Sequence, residues 1–319
     1  MDKRTRTGIS IALISILTGW FLISDVETVK SETFSFLTMG TAARFTFYAS
    51  NPDMLSEMYK TAQESFDDVI RTANLYDPDS ELARLNRSAY GKDFVCSDLL
   101  WQMILEAEKA FYFSDGSFDI TVKPLMDLWG FYRKKQQAPS EKEIRQTLEK
   151  VGFKKLILDK KKKTLRFSVD GMALDLGGIA KGFALELAAL KLAPFKVCGV
   201  LDLGGNLKFL GRGKTYRAAI KDPAAPDKLV PQILEVSPGH AVSTSGDYER
   251  NVSYGGKIYG HIIDPVKGYP PPGEYSATVV LPSAACADWL STAVFLRGRT
   301  LAEKAEKEMP FCRVILVKK

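Results

Sequence analysis

Histidine is nearly missing from this chain: His240 and His261 are the only two in 319 residues. A zinc centre built from several histidines is therefore excluded. Cysteine is scarce too. Cys96, Cys198, Cys286 and Cys312 lie far apart, with no C-x-x-C pair, so the spacing encodes neither a thiolate metal site nor a disulfide framework. They read as small core residues. No H-E-x-x-H occurs, and no G-x-G-x-x-G follows a strand. Gly213-Lys214-Thr215 resembles the end of a phosphate-binding loop, but Lys208 stands where its opening glycine should be, so residues 211–214 read as a hairpin turn. Any metal here should be a hard cation held by oxygen.

A strong charge of one sign is also lacking. The 44 basic and 38 acidic residues leave a net charge of +6. Much of the basic character sits in the lysine run 160–163, between two apolar stretches, where it reads as a solvated hairpin turn. No aromatics alternate with those lysines, which argues against nucleic-acid binding. At 45% hydrophobic and 11% aromatic, the chain can bury a real core.

Long apolar runs are absent except at the start. Lys3, Arg4 and Arg6 precede an apolar stretch over residues 8–23, the pattern of a secretory signal. No A-x-A site follows, and no cysteine stands there for lipid attachment. We read residues 1–24 as a signal anchor, with cleavage near Ser24 as the alternative, 25–33 as a linker and 34–319 as one domain. The positive-inside rule puts the domain outside the cytoplasm.

The body of the chain mixes helices with strands in hairpins, which argues for an α+β fold with mixed or antiparallel sheets and packed helices. Residues 34–50 read as two strands broken at Met39-Gly40-Thr41, and 53–75 as an amphipathic helix. A second helix covers 99–113, with Ser97 or Asp98 as its cap. Ser140-x-x-Glu143 is a capping box. A hairpin joins 156–158 to 165–169, and another strand leads into Asp175. Later strands are expected at 199–203, 216–220 and 241–244, with a hairpin through Gly255-Gly256 joining 250–254 to 258–263.

The richest segment is Asp175-Leu-Gly-Gly-Ile-Ala-Lys-Gly182. A glycine turn entering a helix lets backbone N–H groups approach an anion, and Lys181 adds a point charge. Asp175 beside it suits a ribose, a base or a metal rather than a phosphate. In the helical pattern 287–293, Asp288, Ser291 and Thr292 fall at i, i+3 and i+4, so their oxygens share a face. That is half of a Mg²⁺ site; Asp288 as a helix N-cap is the plainer reading. His261 is expected near the end of a strand. Trp129 and Phe131 either line a flat-ring pocket or fill the core.

Read together, seven segments resemble the ApbE-type FAD:protein FMN transferases. They are Tyr76-Asp-Pro-Asp-Ser-Glu-Leu-Ala-Arg-Leu-Asn86, Asp115-Gly-Ser-Phe-Asp119, the Asp175–Gly182 segment, Asp202-Leu-Gly-Gly-Asn206, Ser243-Thr-Ser-Gly-Asp-Tyr-Glu-Arg250, His261-Ile-Ile-Asp-Pro265 and Ala287-Asp-Trp-Leu-Ser-Thr292. Their order and spacing carry the resemblance, which runs from Met39 nearly to the C-terminus.

The resemblance implies an extracytoplasmic, Mg²⁺-dependent enzyme with a T-fold-like domain. Such an enzyme splits FAD, links FMN to a Thr or Ser of a partner protein by a phosphoester bond, and releases AMP. It implies flavin-nucleotide contacts at Met39, Tyr76, Ser117, Phe118, Asp119, Asp175, Lys181 and Ile263. It implies metal contacts at Gly178 (through its carbonyl), Asp288, Ser291 and Thr292, and a role for His261 in the chemistry. Acceptors would carry a Ser/Thr-Gly-Ala-Ser/Thr motif and belong to membrane redox complexes. That motif is absent here, which argues against the chain being a flavin carrier itself. The rivals are a metal-dependent FAD pyrophosphatase and a non-catalytic flavin-binding protein.

Overall fold

The computed structural model describes residues 30–319, apart from residues 50, 134, 214 and 248–250. The apolar stretch 8–23 lies outside the described residues. Among the described residues no helix is long and apolar enough to cross a membrane.

The chain begins with β1 (Lys30–Thr38), β2 (Thr41–Ala49), α1 (Pro52–Ala73), α2 (Glu81–Ser88), β3 (Phe94–Val95) and α3 (Asp98–Phe113). It continues through α4 (Lys123–Trp129), α5 (Glu141–Leu148), β4 (Leu156–Asp159), β5 (Thr164–Phe167), α6 (Ala180–Leu192), β6 (Cys198–Leu203), β7 (Asn206–Leu210), β8 (Tyr216–Lys221) and β9 (Leu229–Val236). It closes with β10 (Ala241–Ser245), β11 (Asn251–Tyr254), β12 (Lys257–Gly260), β13 (Tyr275–Leu281), α7 (Ala284–Arg297), α8 (Arg299–Glu308) and β14 (Arg313–Lys318).

Seven strands form the main sheet in the order β1-β2-β6-β7-β10-β13-β14, and every neighbouring pair is antiparallel. The α+β expectation holds. Alternation along the strands sends residues to two different cores. From β2, Ala43, Phe45 and Phe47 face the helices, where α1 presents Leu55, Met58, Ala62, Phe66 and Val69, all buried. Helix α6 lies between α1 and α7 on this side. On the other face, Val200, Phe209, Val242 and Val280 meet Ala218, Ile220, Leu234 and Val236 from the β8–β9 hairpin. A smaller core of Leu125, Met126, Trp129, Ile144, Val151, Tyr254 and Ile263 joins α4 and α5 to the β11–β12 hairpin.

Local chemistry explains the helix starts. The Asn51 side chain accepts the Asp53 N–H at 3.0 Å, just ahead of Pro52 in the first helical position. Ser97 caps α3, and Ser140 with Glu143 forms a complete capping box on α5. Between β6 and β7, Gly204 (φ 60°) and Gly205 (φ 91°) make a two-residue turn that needs positive φ at both positions.

Four expectations are corrected. Strand β1 begins at Lys30, so Lys30–Thr33 are strand, paired with Thr46–Ala49, rather than linker. No strand leads into Asp175: the side chain of Asn86 takes the place of a strand partner, donating to Leu174 O at 2.9 Å and accepting from Leu174 N at 2.7 Å. Residues 211–213 do not close a hairpin. Strand β7 pairs with β6 and β10, and β8 with β9, so this segment carries the chain from one sheet to the other. The β11–β12 hairpin stops at Gly260, and His261 lies just past it.

Candidate active site at a glycine turn between two helices

Helix α7 starts at a Ser283 cap, whose hydroxyl accepts the Cys286 N–H at 3.2 Å. Asp288 therefore lies in the second turn, and the reading of it as the cap of its own helix fails. The residue is 4% exposed. Oδ2 accepts the backbone N–H of Gly182 at 2.8 Å, and Oδ1 accepts Nδ2 of Asn206 at 2.8 Å. Gly182 is in the first turn of α6, so Asp288 supplies the anion for that helix N-terminus. Ile179, the residue before α6, offers no side-chain cap.

The glycine turn and α7 touch closely. A Cβ at Gly182 would meet the Ala284 carbonyl and lie 2.8 Å from Ala285 Cα. A Cβ at Gly178 would lie 3.0 Å from Phe118 Cε2 and 3.9 Å from Thr292 Oγ1. Gly178, Phe118, Asp288 and Thr292 are thus brought together. Ser291 is 1% exposed, and its hydroxyl donates to the Asp288 carbonyl at 2.9 Å. Lys181, half-buried, is in the first turn of α6.

A second group forms around Asp175. Its backbone N–H donates to Ile120 O at 2.7 Å, tying the turn to the segment that carries Ser117, Phe118 and Asp119. Its Oδ1 accepts Gly177 N at 2.7 Å, and its Oδ2 accepts the Tyr132 hydroxyl. Burial first, and then the Asp175 charge, push the Tyr132 phenol well above its usual value, so it stays a donor. Tyr76, 68% exposed, stands edge-on to Tyr132 with ring centroids 5.9 Å apart, and Lys123 Nζ lies 5.2 Å from the Tyr132 centroid.

Other expected residues are turned inward. The Asp119 carboxylate is spent on Thr121 N, Thr121 Oγ1 and Phe153 N, at 2.8, 2.6 and 2.8 Å. Burial outweighs those bonds and raises its carboxyl above the ordinary value. Ser117 Oγ donates to Ser114 O at 2.9 Å, and the Ile263 side chain is packed in the Trp129 core. Any ligand contact of these three would run through backbone. Met39 tops the β1–β2 turn at φ 48°, and Ala42 O beyond it accepts the Gly204 N–H at 2.9 Å. The Gly204-Gly205 turn leads straight to Asn206, the partner of Asp288. His261 is half-buried.

Sequence reading missed three side chains here. Asn206 and Tyr132 reach Asp288 and Asp175 from 82 and 43 residues away. Ser245, at the end of β10, has its Oγ 2.8 Å from Ser291 Oγ and 3.1 Å from Thr292 Oγ1. Only tertiary structure brings these pairs together, although Asn206 and Ser245 both lie in segments that carry the family resemblance.

Behind the site, a buried ladder ties the same three elements. Lys208 Nζ donates to Pro282 O at 2.7 Å and Gly239 O at 3.0 Å, with Glu186 Oε2 at 3.5 Å. That same Glu186 oxygen accepts the Ala284 N–H at 2.6 Å. Burial draws the Lys208 ammonium down from its usual value, against the pull of Glu186.

The donors gathered at the turn are all oxygens, with a single carboxylate. Among the described residues, no group of three or more His, Cys, Asp or Glu could hold a metal. Asp288 and Thr292 with backbone carbonyls suit Mg²⁺, which needs few protein ligands and completes its shell with water and phosphate oxygens. Burial holds the Cys96 and Cys312 thiols up at about 12.

The ApbE family model matches residues 39–315. The FAD:protein FMN transferase of Haemophilus influenzae is 29% identical over 309 residues, covering 92% of this chain and 89% of that protein. The FAD:protein FMN transferase of Chlamydia trachomatis is 31% identical over 250 residues, covering 77% and 78%. Among solved structures, the Thermotoga maritima ApbE protein superposes with a TM-score of 0.83 at 28% identity, covering 91% of this chain and 94% of that one. The flavin transferase ApbE of Vibrio cholerae gives 0.79 at 26%, covering 92% and 94%.

Proposed function

This chain belongs to the ApbE family, and from that premise we propose that it is an FAD:protein FMN transferase. It moves FMN from FAD to a Ser or Thr hydroxyl of a partner protein and releases AMP. The observation that carries this reading is the oxygen cluster of Asp288 and Thr292 against the Gly177-Gly178 turn, at the N-terminus of a helix bearing Lys181.

The bond to be broken is the pyrophosphate P–O–P of FAD, and the bond formed joins the acceptor Oγ to the FMN phosphorus. Negative charge builds on the phosphoryl and bridging oxygens. The N-terminal end of α6 and the Lys181 ammonium would meet that charge and orient the pyrophosphate, since the Gly177 N–H is taken by Asp175 and the Gly182 N–H by Asp288. Asp288 and Thr292, with the Gly178 carbonyl, would hold Mg²⁺, which when bound supplies Lewis-acid neutralisation of the phosphate oxygens. Asp175, kept in place by Tyr132 and Gly177, suits a ribose or base hydrogen bond. Tyr76 offers an exposed aromatic face to a flat ring. His261 takes the acceptor hydroxyl's proton, directly or through water.

The basic N-terminus and the apolar stretch 8–23 support action on the extracytoplasmic side of a membrane, with the chain anchored there. Acceptors with a Ser/Thr-Gly-Ala-Ser/Thr motif on membrane redox subunits fit that location. The test supplies FAD, Mg²⁺ and an acceptor carrying that motif, followed by mass spectrometry of the acceptor and quantitation of AMP. A flavinylated acceptor with AMP released in equal amount is expected. Free FMN and AMP with an unmodified acceptor would make the protein an FAD pyrophosphatase instead.

A further inference from the structure

The three hydroxyls beside Asp288 can share their hydrogens in only one order. A carbonyl oxygen only accepts, so the Ser291 hydroxyl must donate its single hydrogen to Asp288 O, 2.9 Å away. Ser291 Oγ also lies 2.8 Å from Ser245 Oγ. With its hydrogen spent, Ser291 must accept there, and Ser245 must donate. Ser245 Oγ in turn lies 3.1 Å from Thr292 Oγ1. With the Ser245 hydrogen spent, Thr292 is the donor in that contact. The chain therefore runs from Thr292 to Ser245 to Ser291 to the backbone carbonyl of Asp288.

From this order we infer that Ser245 is a positioning residue for the cation site: it accepts the Thr292 hydroxyl hydrogen and so turns the lone pairs of Thr292 Oγ1 toward the divalent cation held by Asp288. Ser291, 1% exposed, works behind Thr292 as the relay that fixes the direction. A hydroxyl ligand must offer a lone pair and place its hydrogen elsewhere, and here that place is built in. Partners of metal ligands that set ligand orientation are commonly worth 10–100-fold in metal affinity. Strand β10 supports the arrangement. Ser245 sits at its last position, paired with Ala277 of β13, while Thr244 points to the opposite face and bonds Thr278 at 2.9 Å.

The inference rests on the metal reading given above, and the test separates the two. Mn²⁺ is titrated into the full chain by electron paramagnetic resonance, with and without saturating ADP, which carries a pyrophosphate but no flavin to transfer. Melting curves are recorded alongside. Ser245→Ala is expected to weaken Mn²⁺ binding roughly 10–100-fold, and Ser245→Thr, which restores a hydroxyl, to recover most of it. If Ser245→Ala melts as an unfolded chain, Ser245→Cys replaces it: the thiol fills the space but is a weak hydrogen-bonding partner, and the same loss is expected. Unchanged Mn²⁺ affinity in the folded Ala or Cys variant, with binding abolished in Asp288→Ala, overturns the role of Ser245 alone. A wild-type protein that binds no Mn²⁺ in either condition overturns the metal reading and this one together.

Discussion

Asp288 Oδ2 accepts the backbone N–H of Gly182 at 2.8 Å, across 106 residues of sequence. One carboxylate thus closes the open end of α6 and stands at the mouth of the glycine turn. Its second oxygen is held by Asn206, so the group cannot rotate away without losing two hydrogen bonds. A carboxylate fixed this way is preorganised for a cation. It is also part of the fold.

Asp288→Ala should therefore do two things. Mg²⁺-stimulated transfer is abolished, and stability falls by about 1–3 kcal/mol because the Asn206 amide and the Gly182 N–H lose their partner. Urea denaturation with activity measured on the folded fraction checks both. Wild-type metal response in the variant would leave Asp288 as a helix cap alone.

Gly182→Ala tests the approach of α6 to α7. The added methyl has nowhere to go, since a Cβ would meet the Ala284 carbonyl and lie 2.7 Å from Asp288 Cβ. The helices must separate, at a cost of about 1–3 kcal/mol. The transfer rate should fall further than stability does, because the displaced atoms carry the cation site. An alanine variant with native melting and native rate would refute the tight contact.

His261→Asn should lower the transfer rate by about 10²–10⁴-fold, the usual worth of a general base. FAD affinity, followed by flavin fluorescence quenching, should barely change. A large loss of affinity with a near-normal rate at saturation would make His261 a binding residue.

Tyr216 gives a pH signature away from the site. Its hydroxyl donates to Leu210 O at 2.7 Å and accepts the Gly199 N–H at 3.1 Å, and burial lifts its phenol to about 12 from 10.0. The native state holds this proton more tightly than the unfolded chain. Its contribution is complete below pH 10 and is lost as pH rises toward 12. Tyr216→Phe should cost about 1 kcal/mol at neutral pH and flatten that alkaline loss. Chemical denaturation of both proteins between pH 8 and 12 would show it; parallel curves would contradict it.

Much of the fold could be read from local signals. Ser140 and Glu143 announce α5 because a capping box is complete within four residues, and the amphipathic stripe of α1 is plain in Leu55, Met58, Ala62, Phe66 and Val69. The errors came where a distant residue decides the local structure. The run into Asp175 has the look of a strand, yet Asn86 satisfies the Leu174 backbone from 88 residues away. The turn at 211–213 has hairpin chemistry, but its flanking strands pair elsewhere.

The site divides in the same manner. Asp288, Ser291 and Thr292 share a helix, so their proximity follows from helical spacing. The glycines of the turn and Asp288 meet only because α6 packs on α7. Asn206 and Ser245 carry no local signal of their roles; each is one polar residue at a strand end. The Asp119 carboxylate and the Ile263 side chain face inward, which spacing alone gave no means of telling.

The Gly204-Gly205 turn acts as the reading frame of β7. Strand residues alternate between faces, so Asn206 and Lys208 share the side that meets α6 and α7, while Leu207 packs toward the β8–β9 hairpin. A single residue inserted at that turn would shift the frame by one. Asn206 and Lys208 would then be driven into the apolar layer, Leu207 would take the place of Lys208 beside Glu186, and the Asp288 carboxylate would lose its amide partner. A two-residue turn therefore decides whether the carboxylate has a partner at all.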